Sequence, residues 1–482
     1  SEHLIGLAGA GASSGMAMAH WEIQGWMILI LGWVFVPFYS RSMVYTMPEF
    51  LERRYNPQSR TILSVISLVS YVLTKVAVTV YAGGLVFQQV FGIKELWGID
   101  FFWIAAIGLV VLTALYTIFG GMKSVLYTSV LQTPILLLGS LIILVLGFKE
   151  LGGWDEMMRV CGAVTVNDYG DTMTNLIRSN DDANFPWLGA LIGSAIIGFW
   201  YWCTDQFIVQ RVLSGKNEKE ARRGTIFGAY LKLLPVFLFL IPGMIAFALH
   251  QKYIGAGGEG FLPMLANGTA NADAAFPTLV AKLLPAGVKG LVVCGILAAL
   301  MSSLASLFNS SAMLFTIDFY KRFRPETPEK KLVGIGQIAT VVIVILGILW
   351  IPIMRSVGDV LYTYLQDVQS VLAPGIAAAF LLGICWKRTS AQGGMWGLIA
   401  GMVIGLTRLG AKVYYSNAGE VADSTFKYLF YDMNWLFFCG WMFLFCIIVV
   451  IVVSLATEAP TAEKIQGLVF GTATKEQKAA TR

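Results

Sequence analysis

Long apolar runs alternate with polar loops along most of the chain. A membrane-spanning helix needs about 20 consecutive apolar residues, and twelve runs approach this length. Hydrocarbon offers the backbone no hydrogen-bond partner, so such runs fold as helices, and the alternating segments of a β-barrel do not occur here. The pattern predicts an all-α polytopic membrane protein, with a hinge at Gly120 and Gly121. The runs fall near residues 1–16, 22–38, 62–91, 100–119, 124–147, 186–212, 225–249, 284–316, 333–354, 357–386, 392–410 and 433–456.

The amino-acid composition excludes several classes of protein. The 482 residues are 57% hydrophobic and 13% charged, whereas a soluble domain carries roughly 25% charged residues. An ordinary cytosolic enzyme, a disulfide scaffold and a disordered chain are excluded, and a net charge of +5 is too small to indicate a nucleic-acid partner. Five of the six cysteines lie in apolar runs and are predicted to be reduced packing residues, while Cys161 lies alone in a loop. Because the residues after His3 are already apolar, we expect the sequence to begin inside a helix.

Lys and Arg residues are distributed unevenly between the two sides of the predicted helices. The side reached after run 22–38 holds 21 of the 34, the opposite side holds 11, and Lys75 and Lys232 fall within the membrane. Cytoplasmic loops carry the excess of basic residues. The richer side is therefore predicted to be cytoplasmic, in a plasma membrane or a bacterial inner membrane.

Charged and amide side chains interrupt several apolar runs. A charge at the bilayer centre costs roughly 2.5–3.5 kcal/mol on insertion scales, so each needs a partner or a function. Structural ion pairs between helices would explain them. Neighbouring aromatic residues instead favour a wet cavity that binds a polyhydroxylated solute or an amino acid. The polar residues are Glu22, Lys75, Asp205, Gln206, Lys232, Gln366 and Asp367, and the aromatic ones are Trp21, Trp200, Tyr201 and Trp202.

Two glycine-rich segments are predicted to be interrupted helices. They are residues 4–11 and 191–198, and each begins a group of five spans. Paired interruptions in two halves are typical of an inverted-repeat transporter with a site at mid-membrane, although close helix packing would explain the same glycines. On another span, Ser302, Ser303 and Ser306 either bond to their own helix backbone or provide oxygen ligands for a monovalent cation.

Five separate blocks match one family pattern. They are residues 200–211, 230–235, 301–310 with 315–318, 364–366 and 380–388. The sequence resembles the sodium/solute symporter family, and within it the sodium/glucose cotransporters, from residue 1 to about 456. The resemblance implies a leucine-transporter-like inverted repeat of five plus five helices with flanking helices. The implied divisions are a truncated first repeat 1–148, an external loop 149–185, a second repeat 186–388, additional transmembrane helices 389–457 and a polar tail 458–482.

The resemblance implies a sugar held at mid-membrane between aromatic gates. His3 and Glu22 would bind ring hydroxyls, Lys232 and Gln366 would bind others, and Tyr201 would stack as the inner gate. The implied substrate-binding residues are His3, Glu22, Lys75, Tyr201, Trp202, Lys232 and Gln366.

The family's animal glucose carriers keep residues that match His3 and Lys75, which favours glucose or galactose over proline, pantothenate or an anion. Near Gln366, an Asp of the intestinal carrier matches Thr363, and Gly198 replaces a hydroxyl residue. Because of these two departures, the resemblance does not determine which sugar is preferred.

Co-transported sodium is the second implied ligand. It would bind the hydroxyls of Ser302 and Ser303, the carbonyl of Ala299, and carbonyls of first-helix residues that precede the sequence. Two-sodium members carry an Asp near Ser129 and a Thr at the position of Ala305. Because both ligands are replaced, we predict one sodium per sugar.

Solute transport by alternating access, driven by a sodium gradient, requires no covalent chemistry. A carrier of the same fold for myo-inositol or another small solute is an alternative, and so is a sugar-gated sensor or channel. A membrane enzyme is disfavoured, because the three histidines are dispersed and no nucleophile–base pair stands at a recognisable spacing. The expected partners are a sugar, sodium and the bilayer.

Overall fold

A computed structural model describes the backbone of residues 3–473 except 43, 45, 266–267, 358–360 and 419–421. It describes their side chains except those at 116, 118–126, 128–129, 131, 354–357 and 362–363. In this part of the chain, ten helical segments are long and apolar enough to cross a membrane. They are Ala17–Ser42, Pro57–Phe91, Gln132–Leu151, Trp187–Thr204, Glu218–Gly255, Ala286–Phe323, Glu329–Ile353, Tyr364–Cys385, Ala391–Asn417 and Trp435–Ala456, with Phe101–Leu115 as a shorter apolar helix.

The α-helices are numbered in chain order. The first eleven are α1 Ala8–Ser14, α2 Ala17–Trp21, α3 Met27–Ile30, α4 Val36–Ser42, α5 Met47–Arg54, α6 Pro57–Ser70, α7 Ala77–Phe91, α8 Phe101–Leu151, α9 Trp154–Gly162, α10 Trp187–Gly198 and α11 Gln206–Leu213. The others are α12 Glu218–Leu231, α13 Ile241–Gly255, α14 Ala275–Leu283, α15 Ala286–Met313, α16 Lys321–Phe323, α17 Glu329–Val357, α18 Leu361–Cys385, α19 Ala391–Asn417, α20 Thr425–Lys427, α21 Trp435–Ala456 and α22 Ala462–Ile465.

Wider and tighter helical turns join many of these α-helices. Such departures from α geometry occur frequently at functional sites. The 3₁₀ turns are Glu22–Trp26 and Ala272–Ala274. The π-helical turns are His3–Leu7, Leu31–Phe35, Tyr71–Val76, Phe199–Thr204, Val236–Leu240, Leu314–Tyr320 and Tyr428–Asp432.

The prediction of an interrupted first segment is wrong for its described part. The chain is helical without a break from His3 to Ser14, passing from a π-helical turn into α1. The helix ends at Gly15, whose φ of 69° is accessible to glycine at little cost. A Cβ at Gly15 would lie 2.1 Å from the Met173 carbonyl oxygen, so the external loop closes directly over this helix end.

The second predicted interruption is also wrong for residues 191–198, which lie within α10; the break comes further along the chain. α10 passes into the π-helical turn Phe199–Thr204, and Asp205 then takes an extended conformation. The Asp205 side chain accepts a hydrogen bond from the Phe207 N–H and so caps α11. A carboxylate at this position accepts a hydrogen bond from an N–H of the new helix that has no partner within the helix. Its negative charge is also stabilised by the positive end of the helix dipole.

Helix α8 reverses direction. A straight helix of its 51 residues would be about 75 Å long, yet both ends lie on the same side of the protein. Asp100, which caps its start, accepts a hydrogen bond from Gln88 at the end of α7. At its other end, the Leu151 carbonyl accepts from Lys252, and the neighbouring Ile254 lines one cavity with Gln89. The helix therefore folds back on itself, and the predicted hinge at Gly120 and Gly121 lies near its midpoint.

A short hairpin precedes α8. Strands β1 (Glu95–Leu96) and β2 (Ile99–Asp100) pair antiparallel, with Glu95 opposite Asp100. The two connecting residues, Trp97 and Gly98, both have positive φ, as the favoured two-residue hairpin turn requires.

The external loop is held to α1 by a buried arginine. Arg178 donates to the Ser14 carbonyl and lies 3.4 Å from a carboxylate oxygen of Asp182. Asn167 donates to that same oxygen at 2.9 Å. Burial lowers the pKa of Arg178, and the Asp182 carboxylate acts in the opposite direction.

A second external contact joins the start of α18 to the loop before α14. Asp273 is buried, and its two carboxylate oxygens accept from the Leu361 N–H at 3.1 and 3.2 Å. Burial raises the pKa of Asp273 to about 7. The carboxyl group therefore binds its proton more tightly in the folded protein than in the unfolded chain.

This buried carboxyl predicts a pH dependence of stability. In the window between the ordinary carboxyl pKa and about 7, the unfolded chain loses the proton first, so the free energy of unfolding falls as the pH rises. The loss is at most about 1.4 kcal/mol per pH unit. We expect the melting temperature of purified protein to fall between pH 5 and 7, and Asp273→Asn to reduce that slope. An unchanged slope in the variant would assign the effect to another group.

The predicted polar tail is partly packed against the helices. Leu468 and Val469 are buried, and the Phe470 N–H donates to the Ile384 carbonyl at 2.9 Å. The Ser42 hydroxyl donates to the Gly467 carbonyl at 3.1 Å. Residues 466–470 therefore lie against the ends of α4 and α18.

Candidate solute and sodium sites

Three ionisable side chains from three distant segments meet inside the bundle. Lys232 donates to a carboxylate oxygen of Glu22, and its Nζ lies 2.5 Å from His3 Nε2. The same His3 nitrogen is 3.5 Å from the Glu22 carboxylate. The Glu22 side chain is 2% exposed and that of Lys232 is 10% exposed. A carboxylate and an ammonium group buried this deeply stabilise each other.

The local backbone explains how this triad forms. His3 lies in a π-helical turn, Glu22 begins a 3₁₀ turn, and Lys232 ends α12 three residues before Pro235, which cannot donate a backbone hydrogen bond. Gly25 lets the segments approach, because a Cβ there would lie 2.6 Å from Lys232 Cγ.

An aromatic pair borders the triad. The Lys232 ammonium lies 5.9 Å from the centre of the Trp202 ring, and the Tyr201 and Trp202 rings meet edge to face at 4.8 Å. A cavity of about 730 Å³ is lined by His3, Trp202 and Lys232 and continues to Glu220, on the predicted cytoplasmic side. These three predicted residues therefore line one cavity together.

Two other predicted cavity residues serve packing or backbone contacts instead. Trp21 is fully buried, with its ring 5.1 Å from that of Trp435 on α21. The Gln206 side-chain oxygen accepts from the Met47 N–H at 2.8 Å. Both residues hold elements together rather than face the triad.

Lys75 lies in a separate cage. It forms a buried ion pair with Asp205, whose other oxygen accepts from the Tyr71 hydroxyl at 2.8 Å. The Lys75 ammonium also lies 5.0 Å from the Tyr201 ring and 4.2 Å from the Phe207 ring. Tyr201 thus connects the triad, through Trp202, with this charged cage.

Gln366 is contributed by α18, which packs against both the His3–Leu7 turn and the Phe199–Thr204 turn. Its side chain is buried, and among the described residues its Oε1 finds no hydrogen-bond partner. A buried amide oxygen left unbonded is costly. It is suited to accept from a solute hydroxyl.

The predicted sodium ligands share one regular helix. Ala299, Ser302 and Ser303 lie on α15, with Ser302 buried and the other two half-buried. Ser306, one turn further on, donates to the Ser302 carbonyl at 2.9 Å and is thereby engaged within its own helix. Oxygen atoms of neutral groups at this spacing suit a monovalent cation.

A single sodium is predicted from Ser129 and Ala305, and the structure describes the side chain of Ala305 alone of these two. Ala305 is buried and apolar, so it offers no side-chain oxygen. The side chain of Ser129 lies outside the described residues, as does that of Thr363, which was named for sugar selectivity.

Comparison with known proteins identifies the family. The model of the sodium:solute symporter family matches residues 1–401. The chain belongs to the sodium:solute symporter family. It is 36% identical over 485 residues to the human sodium/myo-inositol cotransporter 2 and 37% identical over 476 residues to the sodium/glucose cotransporter 1 of Ovis aries. These matches cover 98% and 95% of this chain, and 71% of each relative.

A solved structure supports the same architecture. A Na⁺-coupled sialic acid symporter in a substrate-bound outward-open state has a TM-score of 0.71 to this chain at 20% identity, covering 95% of this chain and 88% of that one. The predicted leucine-transporter-like inverted repeat is therefore confirmed. This chain is itself a sodium-coupled, multi-pass membrane transporter of a small molecule rather than an enzyme. The residue bounds of the two repeats, 1–148 and 186–388, stay a prediction.

One charged pair in this symporter was not foreseen. Lys412 on α19 donates to a carboxylate oxygen of Asp367 on α18, and Arg408 on the same helix is fully buried. Arg408 and Lys412, which the sequence analysis counted among the 11 basic residues of the outer side, both lie on α19, within the apolar segment Ala391–Asn417. Their four-residue spacing places both on one helix face, which is the signal that could have revealed them.

Proposed function

We propose that this symporter takes up a monosaccharide, glucose or galactose, together with sodium. The buried triad of Glu22, His3 and Lys232 beside Trp202 carries the proposal. A pyranose presents hydroxyl groups around its rim and C–H groups on its faces. The triad provides both donors and acceptors for the hydroxyls, and an aromatic ring packs against the C–H face.

The proposed roles follow from position. Glu22 and His3 bind ring hydroxyls, and Lys232 donates to others. The Gln366 amide, whose oxygen has no partner within the described part of the chain, completes the ring of contacts. Tyr201 covers the solute on the side toward Lys75. Lys75 itself is engaged with Asp205, so we propose that it acts on the solute through Tyr201 rather than by direct contact.

A second candidate solute is myo-inositol. It presents the same hydroxyl chemistry on a six-membered ring, and one of the matched relatives, at 36% identity, is a sodium/myo-inositol cotransporter. The triad would accept either ring, so the two proposals differ in solute and not in mechanism.

Uptake into proteoliposomes tests the function. Purified protein is supplied with labelled glucose, galactose, myo-inositol or proline under an inward sodium gradient, with potassium replacing sodium as the control. Sodium-dependent accumulation of a hexose supports the main proposal, and accumulation of myo-inositol alone supports the second. Current evoked by sugar without accumulation would indicate a sensor or channel, and accumulation of proline alone would refute both solutes.

The sodium site predicts a selective effect of one hydroxyl. Ser303→Ala is expected to raise the sodium concentration for half-maximal uptake about tenfold, because losing one oxygen ligand at about 1.4 kcal/mol has this effect. Ser306→Ala, on the same helix but bonded to the Ser302 carbonyl, is the matched control and should change it less than about twofold. Equal effects in the two variants would refute the assignment.

We also propose one sodium per solute, on the strength of the apolar Ala305. Transport then moves one charge inward, and about 2.3 kcal/mol is available per 100 mV of membrane potential. A coupling ratio near two, measured from the reversal potential in proteoliposomes, would overturn this stoichiometry.

A further inference from the structure

The ion pair between Asp367 and Lys412 joins two different parts of the symporter. Asp367 lies on α18, directly after Gln366, whereas Lys412 lies on α19, beyond the predicted second repeat. Their side chains are 12% and 19% exposed, within segments that are otherwise apolar. A flanking helix therefore contributes a cation to the helix that carries a proposed solute ligand.

This contact is one of several that fix the outer half of α18. Tyr364, three residues before Asp367, donates to the Leu73 carbonyl at 3.0 Å and accepts from Trp350 Nε1 at 2.6 Å. The Leu361 N–H is held by Asp273. Gln366 lies between the Tyr364 and Asp367 anchors, so a rotation or shift of this helical turn moves its amide directly.

Lys412 is the cation that holds Asp367. Arg408, the other basic residue on this face of α19, donates to the Leu429 carbonyl at 3.2 Å and to the Met433 carbonyl at 2.6 Å, with its guanidinium 4.1 Å from the Phe438 ring. Its role is to hold the segment that follows α19. Asp367 uses one oxygen for Lys412, and within the described part of the chain its Oδ1 has no hydrogen-bond partner. Among the described residues, the carboxylate is thus hydrogen-bonded at a single point, with the Arg408 guanidinium close enough to interact with its charge.

We propose that Lys412 is a positioning residue for solute binding: through Asp367 it holds the turn of α18 that presents Gln366. The inference rests on the proposed function, because it assigns Gln366 to the solute. Loss of the ammonium leaves a buried carboxylate that draws toward water or another donor, and the turn moves with it. Solute affinity then changes, whereas sodium, bound on α15, is affected little.

Matched variants test this role by the kinetic parameter they alter. Lys412→Met is expected to raise the KM for the solute that the wild type transports about tenfold, with kcat and the sodium half-saturation within about twofold of wild type. Lys412→Arg should retain the contact and the wild-type KM. Lys427→Met is the control and should leave KM unchanged. It breaks an outer ion pair in which the Nζ of Lys427, on α20, lies 2.8 Å from a carboxylate oxygen of Asp423.

A double variant keeps the test decisive if Lys412→Met folds poorly. Asp367→Asn/Lys412→Met leaves no unpaired charge, and its KM should be raised no further than in either single variant, because both changes break one contact. A wild-type KM in the folded double variant would overturn the inference and leave the proposed function intact. A fall in kcat and sodium affinity equal to the change in KM would also overturn it. Absence of sodium-coupled uptake in the wild type would refute both proposals.

Discussion

Replacing Lys232 with methionine is expected to abolish solute binding at ordinary concentrations, with a rise in KM of about 100-fold or more. Lys232 is the centre of the triad, contacting both Glu22 and His3. Its loss removes a charged donor to the solute and leaves the Glu22 carboxylate, 2% exposed, without its cation. A 100-fold rise corresponds to about 2.8 kcal/mol, which is near the upper end of the roughly 1.5–3 kcal/mol that a hydrogen bond to a charged group contributes.

The control for Lys232 lies on the same helix. Lys219, in the first turn of α12, is exposed, so Lys219→Met removes an equal charge without touching the triad and should leave KM unchanged. Solute binding to the purified variants, measured by equilibrium binding of labelled sugar, separates lost affinity from lost turnover. A Lys232→Met variant that folds and binds sugar with wild-type affinity would remove the triad from the proposed site.

Neutralising one member of the Lys75–Asp205 pair is expected to destabilise the protein strongly. Both side chains are less than 5% exposed, and an unpaired buried charge typically costs about 3–5 kcal/mol. Lys75→Met and Asp205→Asn should each lower the melting temperature, whereas the double variant should recover much of the loss because no charge is left unpaired. Transport should stay impaired in the double variant, since the pair holds the Tyr71–Val76 turn to the break at Asp205.

Thermal unfolding in detergent, read by intrinsic fluorescence, measures the first effect, and uptake measures the second. Arg159→Met, which breaks an exposed pair with Glu156, is the control and should change stability little, because exposed ion pairs contribute little. A double variant as unstable as either single variant would show that packing, and not charge, dominates at this position.

Much of the candidate site is readable from the sequence because bilayers penalise polar groups. Glu22, Lys75 and Lys232 stand out among apolar neighbours without any knowledge of the fold, and each has a charged partner in the structure. The family resemblance adds roles to the same residues. What neither provides is pairing: Lys75 engages Asp205 and Lys232 engages Glu22, although each base is compatible with each acid by sequence alone.

Other features depend on contacts between distant segments. The first segment is helical through its glycines and ends at Gly15, where the external loop packs over it. Lys412, two residues beyond the apolar run 392–410, resembles an interfacial residue by sequence, but α18 places Asp367 beside it. The local geometry of the site follows the same rule, since His3, Glu22, Lys75, Tyr201 and Trp202 all lie in π-helical or 3₁₀ turns.

The sequence by itself determined the class of protein, its membrane-spanning segments and the residues that must be explained, because hydrophobicity and the cost of a buried charge are local properties. Only the tertiary structure decided which charges neutralise each other and which contacts position Gln366. Those outcomes depend on contacts between residues far apart in the chain, such as His3 with Lys232 and Leu73 with Tyr364, and a buried carboxylate is stabilised by whichever cation the fold brings to it.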